Sequence, residues 1–271
     1  MKNIIVITTF NRPVFFRYLI ESIANQNIDD NHSISCVIFD DGSDENVTKT
    51  NIRHAHEHFD HNAIAHTYVT VSNVQDEDRK NRCRFGININ AALDSISRMS
   101  LLDDDDTVIS YATDDNVYLP YKVQSILTQF SNKDVDVVYN KTLFQTVKQV
   151  GNFLETTPRA QGSKLLPDGI IGVPFDITRL IAGSQYNFID HVACSHRLSV
   201  IRKLRQPFWD ESKQGWDNGD WQFWCKLLRT TKKPFTFING VLDVKFIHEK
   251  NAQTLNLESA GSDFKKENIQ E

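Results

Sequence analysis

The sequence predicts an α/β protein built on a mostly parallel sheet. Three observations carry that prediction. Short β-branched runs alternate with segments of helical apolar spacing through the first half of the chain. Several of those runs end abruptly in polar pairs, Thr8-Thr9, Asp40-Asp41 and Asp114-Asp115. The composition, 40% hydrophobic and 24% charged over 271 residues, is that of a soluble globular chain with room for one large domain.

Residues 4–9 read as the first strand and end in Phe10-Asn11-Arg12-Pro13. Pro13 suits the first turn of a helix, where its missing N–H has no partner to lose. The helical spacing runs over residues 15–24. Residues 34–39 form a second strand, and Ser43 or Asp44 can cap a helix reaching about residue 58. Residues 65–71 are a third strand. Residues 84–99 carry Ile87, Ala91, Leu93 and Ile96 on the apolar side of a helix. Residues 107–112 are a fourth strand, followed by a helix over 119–130. Strands alternating with helices imply parallel pairing through right-handed crossovers. Strands at 135–139 and 142–150 follow. Residues 151–187 are rich in Gly, Pro and polar residues and read as a long loop or lid. Helices at 197–204 and 220–230, then strands at 235–238 and 241–247, complete the pattern. Residues 251–271 are a polar tail. With no repeat and no linker, the expectation is a single domain over 1–271, its halves meeting near residue 130.

The bulk numbers exclude several classes. A formal charge of −5 argues against a dedicated nucleic-acid binder. Four cysteines without a C-x-x-C pair argue against a zinc knuckle, and Cys36 and Cys225 read as small core residues. The N-terminus lacks a signal peptide, and no run approaches the roughly 18 apolar residues of a membrane span. These features give a cytoplasmic protein with reduced thiols.

The stretch Val108-Ile109-Ser110-Tyr111-Ala112-Thr113-Asp114-Asp115-Asn116 holds the most chemistry. Ligands of open α/β sheets bind beyond the carboxyl ends of the strands. Adjacent carboxylates there point in alternating directions, so one can meet a sugar hydroxyl and the other a divalent cation bridging to phosphates. Asp40-Asp41-Gly42-Ser43 reads equally as a second ligand edge or as a turn with a helix cap. Arg79, Lys80, Arg82 and Arg84 offer cations for a diphosphate or a solvated basic loop. No Gly-rich phosphate loop is present. Trp216, Trp221 and Trp224 cluster around Asp220, which the spacing places at a helix start; aromatic faces suit sugars and a carboxylate among them suits a general base. The alternative is a capping Asp among core tryptophans. His54, His56, His58, His61 and His66 match no metal pattern such as H-E-x-x-H and read as a solvated helix face. His248 ends an apolar strand and could ligate a metal. Asp103 to Asp106 precede their strand and so stand at the wrong rim for the crevice.

Together these residues resemble a family-2 glycosyltransferase of the GT-A fold, most closely its spore-coat polysaccharide branch. The matching segments are Ile7-Thr8-Thr9-Phe10-Asn11, Phe39-Asp40-Asp41-Gly42-Ser43, the run from Tyr111 to Pro120, Ile189-Asp190-His191 with Ser195-His196-Arg197, and Trp209-Asp210-Glu211-Ser212 followed by Gly219-Asp220. The resemblance implies a Rossmann-like parallel sheet with helices on both faces and a smaller mixed acceptor-side sheet. It implies an inverting transfer from a nucleotide-diphosphate-sugar, UDP or dTDP type, to a carbohydrate or other hydroxyl acceptor. By position, Thr8, Phe10 and Asp40 bind base and ribose, Arg79 stands near base or phosphates, and Asp114 meets the ribose. Asp115, with His248, holds Mn²⁺ or Mg²⁺, and Asp220 is the base. Asp190, His191, Trp216 and Trp221 face the acceptor or sugar. This chain has Gly-Asp where the family more often has Glu-Asp. A sugar nucleotidyltransferase and a non-catalytic nucleotide-sugar-binding module are the alternatives.

Overall fold

Strand β1 (Lys2–Thr9) is buried along most of its length, and its apolar side chains divide between two cores. Ile4 and Val6 enter one, Ile5 and Ile7 the other. A strand buried on both sides demands helices on both faces of its sheet. The computed structural model describes residues 1–72, 74, 76–99, 103, 105–157, 169–171 and 189–248.

Four parallel strands stand side by side in the order β3-β2-β1-β4, with β2 at Ser33–Asp40, β3 at Ala65–Thr70 and β4 at Thr107–Thr113. Helices α1 (Pro13–Ala24), α2 (Glu45–Phe59) and α5 (Lys122–Phe130) cover one face, burying Phe16, Phe59 and Phe130. The short α3 (Asp76–Asn81) leads into α4 (Arg84–Ser97). With α6 (Leu198–Lys203) and α7 (Gly215–Thr231), α4 covers the other face through Ile89, Leu93, Ile201, Phe223 and Trp224. This is the expected α/β architecture.

The second half extends the same sheet. Strand β9 (Cys194–Arg197) pairs antiparallel with β4 and with β6 (Val137–Val150). Strand β10 (Thr236–Ile247) runs parallel to β6, and β5 (Asn116–Tyr118) antiparallel to β10. Strands β7 (Phe153–Thr156) and β8 (Gly169–Ile171) also pair with β6. The expected mixed part is therefore continuous with the parallel part in one ten-stranded sheet.

Some boundaries differ for identifiable reasons. The strands expected at 135–139 and 142–150 are one strand, because Asn140 is a buried strand residue whose Nδ2 donates to Asp243 at 2.7 Å. The strands expected at 235–238 and 241–247 are also one. Asn239-Gly240 makes a register shift in a strand whose parallel partner keeps it running forward. The helix expected from Leu119 starts at Lys122, after β5. The helix expected from Asp220 starts at Gly215. Cys36 is a core residue, but Cys225 is only half-buried; the deeper thiols are Cys83 and Cys194, and all four are free. Most of the expected lid and the whole tail lie outside the described residues. No described helix is long and apolar enough to cross a membrane.

One ion pair locks the halves together. Lys122 and Asp243 meet at 2.6 Å with both side chains fully buried. Lys122 Nζ also donates to the Val192 carbonyl at 2.8 Å, and Asn140 supports Asp243. The group joins α5, β6, β10 and the 3-10 turn at His191–Ala193. Removing one partner of such a pair typically costs about 3–5 kcal/mol, because the other charge stays buried alone.

The Trp209 indole is wedged between α4 and α7. A Cβ at Gly86 or at Gly219 would overlap its ring atoms. Gly86→Ala should therefore destabilise the fold by about 1–3 kcal/mol, outweighing the ~1 kcal/mol that alanine gains over glycine in a helix. Urea unfolding measures this; an unchanged or higher midpoint would contradict the packing described.

Candidate active site at the carboxyl rim of the sheet

The polar strand ends are neighbours in register. Thr9 pairs with Asp40, Thr8 with Thr113, and Asp40 with Thr70. They form the rim where ligands bind in an open parallel sheet.

Asp114 is held from β1. Its Oδ2 accepts from Thr9 Oγ1 and from the Phe10 N–H, each at 3.0 Å. Its Oδ1 accepts from Arg12 Nη1 at 3.0 Å, and the same nitrogen lies 3.5 Å from Asp115. Burial raises the Asp114 pKa and the neighbouring Asp115 adds to the rise, against Arg12 and the two hydrogen bonds. Burial alone would raise Asp115 too. Lys245, Arg12, the Thr113 hydroxyl and His248 outweigh it and hold Asp115 below the ordinary carboxylate range. The Asp115 carbonyl accepts from the Phe246 N–H at 2.8 Å, tying this turn to β10. Thus the paired carboxylates sit in different electrostatic settings.

The first two turns clasp each other. Asn11 takes a left-handed conformation, φ 51°, which its short polar side chain tolerates. Its N–H donates to Ser43 Oγ and its Oδ1 accepts from the Asp44 N–H, both at 2.8 Å. Asp40 faces inward: its carboxylate accepts from the Ser43 N–H, Thr48 Oγ1 and Tyr68 OH at 2.7–3.0 Å. Asp41 faces α3 and α4. It accepts from Arg79 at 2.6 Å, from Arg84 at 2.7 Å and from Asn88 at 3.0 Å. The Arg79 guanidinium lies 3.8 Å from the centre of the Phe10 ring, and Phe10 is one of the exposed large apolar residues. Thr8, at the adjoining strand end, is buried.

The second half supplies the opposite wall. Lys245, on β10, donates to Asp190 Oδ2 at 2.9 Å. Burial would lower this lysine, but Asp190, Asp115 and Asp220 outweigh it and hold it charged. Asp190 also caps the 3-10 turn, accepting from the Val192 N–H at 3.1 Å. His248 is buried against Phe15, ring centres 4.5 Å apart, and contributes electrostatically to lowering Asp115. His191 is buried among Phe85, Tyr111, Trp209 and Trp224, with no hydrogen-bond partner on either ring nitrogen among the described residues. Trp224 is core and donates to the Ile189 carbonyl at 3.2 Å; Trp221 is half-buried. The Trp216 side chain lies outside the described residues. Asp220 is the sixth residue of α7 rather than its start, beyond the first turn where the helix dipole acts, and it is one of the carboxylates that raise Lys245.

Thus Asp114, Asp115, Asp190, Asp220, Lys245 and His248 come together, with Thr8, Phe10 and Arg79 along the same rim. Arg12 and Lys245 carry no role in the sequence reading. Arg12 is signalled only by its place in a strand-end turn, and Lys245 sits in a strand whose alternation hides it. Asp114, Asp115, Asp190 and Asp220 against Arg12 and Lys245 give a formal charge of −2. An ionised Asp115 beside His248, within a net-negative set, fits one divalent cation.

The fold is the GT-A type. The chain matches S. aureus TarS (residues 1–349) in complex with UDP-GlcNAc at a TM-score of 0.55 and 11% identity, over 94% of this chain and 61% of that one. It matches the mannosyltransferase PcManGT from Pyrobaculum calidifontis, in complex with GDP-Man and Mn²⁺, at 0.55 and 11%, over 95% and 60%. Both are GT-A-type glycosyltransferases. In sequence it is 28% identical over 253 residues to protein CgeD of Bacillus subtilis (strain 168), covering 90% of this chain. The chain spans about half of CgeD's length. No protein-family model matches the chain.

Two buried histidines beneath this site set a pH dependence. Burial, with Lys245 nearby, holds His191 well below its ordinary value, and burial brings His196 down to about 4. Both take up protons more readily when unfolded, so their contribution is present above pH ~6.5 and is lost as pH falls from there toward the folded values. The urea midpoint should start to fall below pH ~6.5, above the range where ordinary carboxylates titrate. A midpoint flat between pH 7 and pH 5 would contradict this.

Proposed function

We propose that the chain is an inverting, metal-dependent glycosyltransferase that moves a sugar from a UDP- or dTDP-type donor to an acceptor hydroxyl, in polysaccharide or glycoconjugate synthesis. One observation carries the reading: in a GT-A-type fold, the strand-end pair Asp114-Asp115 faces Asp190, Lys245 and Asp220 from the other half. The nucleotide sugars held by TarS and PcManGT support a nucleotide-sugar donor, and the Mn²⁺ of PcManGT supports a divalent cation.

In this reading residues 1–130 bind the nucleotide and 131–250 the acceptor, within one domain. Thr8, Phe10 and Asp40 belong to the base and ribose subsite, with Asp41 and Arg79 beside Phe10 completing its charged edge. Asp114 meets the ribose. Asp115 and His248 hold Mn²⁺ or Mg²⁺, which supplies Lewis-acid stabilisation of the leaving diphosphate when bound. Arg12 adds positive charge on the donor side. Asp220 takes the proton from the acceptor hydroxyl as its oxygen attacks the anomeric carbon. Lys245 favours the carboxylate form of Asp220 and positions Asp190. Asp190, His191, Trp216 and Trp221 shape the acceptor side. The spore-coat branch of family 2 and a cytoplasmic setting belong to the same proposal.

The test is a panel of UDP- and dTDP-sugars with Mn²⁺ or Mg²⁺, read as release of nucleoside diphosphate. Asp220→Asn should keep donor binding and lower turnover by about 10²–10⁴, the usual contribution of a positioned base. Wild-type turnover in that variant would remove Asp220 from the role. Pyrophosphate release would identify a nucleotidyltransferase, and donor binding without turnover a binding module.

A further inference from the structure

A second cluster lies far from the strand-end rim. His66 is the second residue of β3, the edge strand, and pairs in register with Cys36, four residues before Asp40. That places it about 13 Å down the strands from the candidate active site. The histidine-rich run reads in the sequence as a solvated helix face, with His54 and His58 sharing one side. The structure divides it differently. His54 approaches Glu57 and His58 approaches Glu21, each at 3.6 Å. His56 and His66 converge on Asp60.

His56 and Asp60 stand one helical turn apart at the end of α2. His56 Nδ1 lies 3.1 Å from Asp60 Oδ2, and His66 Nδ1 lies 3.7 Å from Asp60 Oδ1. The donor atoms of all three residues lie within 4.8 Å of one another, and among the described residues no other group of three His, Cys, Asp or Glu side chains converges this closely. The His66 side chain is 8% exposed and packs on Phe59, ring centres 5.4 Å apart. The Ile64 carbonyl oxygen lies 3.3 Å from its Nδ1. With Nδ1 on that carbonyl, Nε2 is the nitrogen left to ligate, and a backbone carbonyl is a usual way a ligating histidine is oriented. His56 and Asp60 are exposed side chains able to turn toward a shared ion. Two imidazoles and one carboxylate form a three-ligand set for Zn²⁺, with water in the fourth position. The same set disfavours Mg²⁺ and Mn²⁺, which prefer oxygen ligands.

We propose that His56, Asp60 and His66 form a site for Zn²⁺ or a similar borderline cation, tying the end of α2 to the edge strand β3. The site is independent of the glycosyltransferase reading. It is tested by zinc titration calorimetry on the tag-free full chain, with thermal unfolding measured alongside. His54→Ala should bind micromolar zinc as wild type does, Asp115→Asn should keep at least one equivalent, and zinc should raise the melting temperature of all three. His66→Ala and Asp60→Asn should bind at least about tenfold more weakly and lose the zinc-dependent shift. His56→Ala should lose binding while keeping its metal-free melting temperature, which separates ligation from folding. Zinc affinity equal in wild type and in the His56→Ala/Asp60→Asn double variant would overturn the proposal. So would loss of binding in Asp115→Asn alone, or no binding at micromolar zinc.

Discussion

Negative charge buried at the carboxyl rim of the sheet is the constraint on which the rest of the structure depends. Asp114 and Asp115 follow a strand buried along almost its whole length, and both carboxylates are nearly removed from water. Charges in such a place must be compensated by chemistry the fold can hold still. The chain does this from three directions: hydroxyl and N–H groups of β1, Arg12 from the first turn, and Lys245 from β10. None of these groups is near Asp115 in sequence; only the Thr113 hydroxyl, which also donates to Asp115, is. The charge is therefore affordable only in the completed fold.

This requirement explains why the two halves share one sheet. Lys245 reaches Asp115 because β10 is anchored to β6 along its length and to β5 just after the carboxylates. Lys122 and Asp243 fix β10 against α5 and against the 3-10 turn carrying Asp190 and His191. Trp209, gripped by glycines of α4 and α7, sets the place of the helix bearing Asp220. The carboxylates of the two halves thus share one electrostatic environment, as the proposed transfer between two substrates would require.

The parallel half was legible because a strand buried on both faces leaves a continuous apolar run, and helical spacing punctuated it. The strand-end aspartates were legible for the same reason: an apolar run that stops at two carboxylates is conspicuous. The bulge at Asn239-Gly240 and the strand residue Asn140 were not, since each carries the local signature of a turn and is overruled by pairing to a distant strand. Asp220 appeared to open a helix because Gly215 and Gly219 mask the true start; Gly219 makes room for Trp209 and Gly215 for the Asp210 backbone. Arg12 and Lys245 were hidden because a cation's role depends on which carboxylates the fold brings to it.

The proposed function requires Asp115 to stay ionised, in a net-negative set, for a divalent cation that carries a nucleotide diphosphate. Calorimetric binding of UDP to the full chain, with Mn²⁺ and with a chelator, tests this directly in wild type and Asp115→Asn. The expected result is UDP binding that needs Mn²⁺ in wild type and loses that dependence in Asp115→Asn. Equal UDP affinity with and without Mn²⁺ in wild type, or an Asp115→Asn variant indistinguishable from it, would contradict the account.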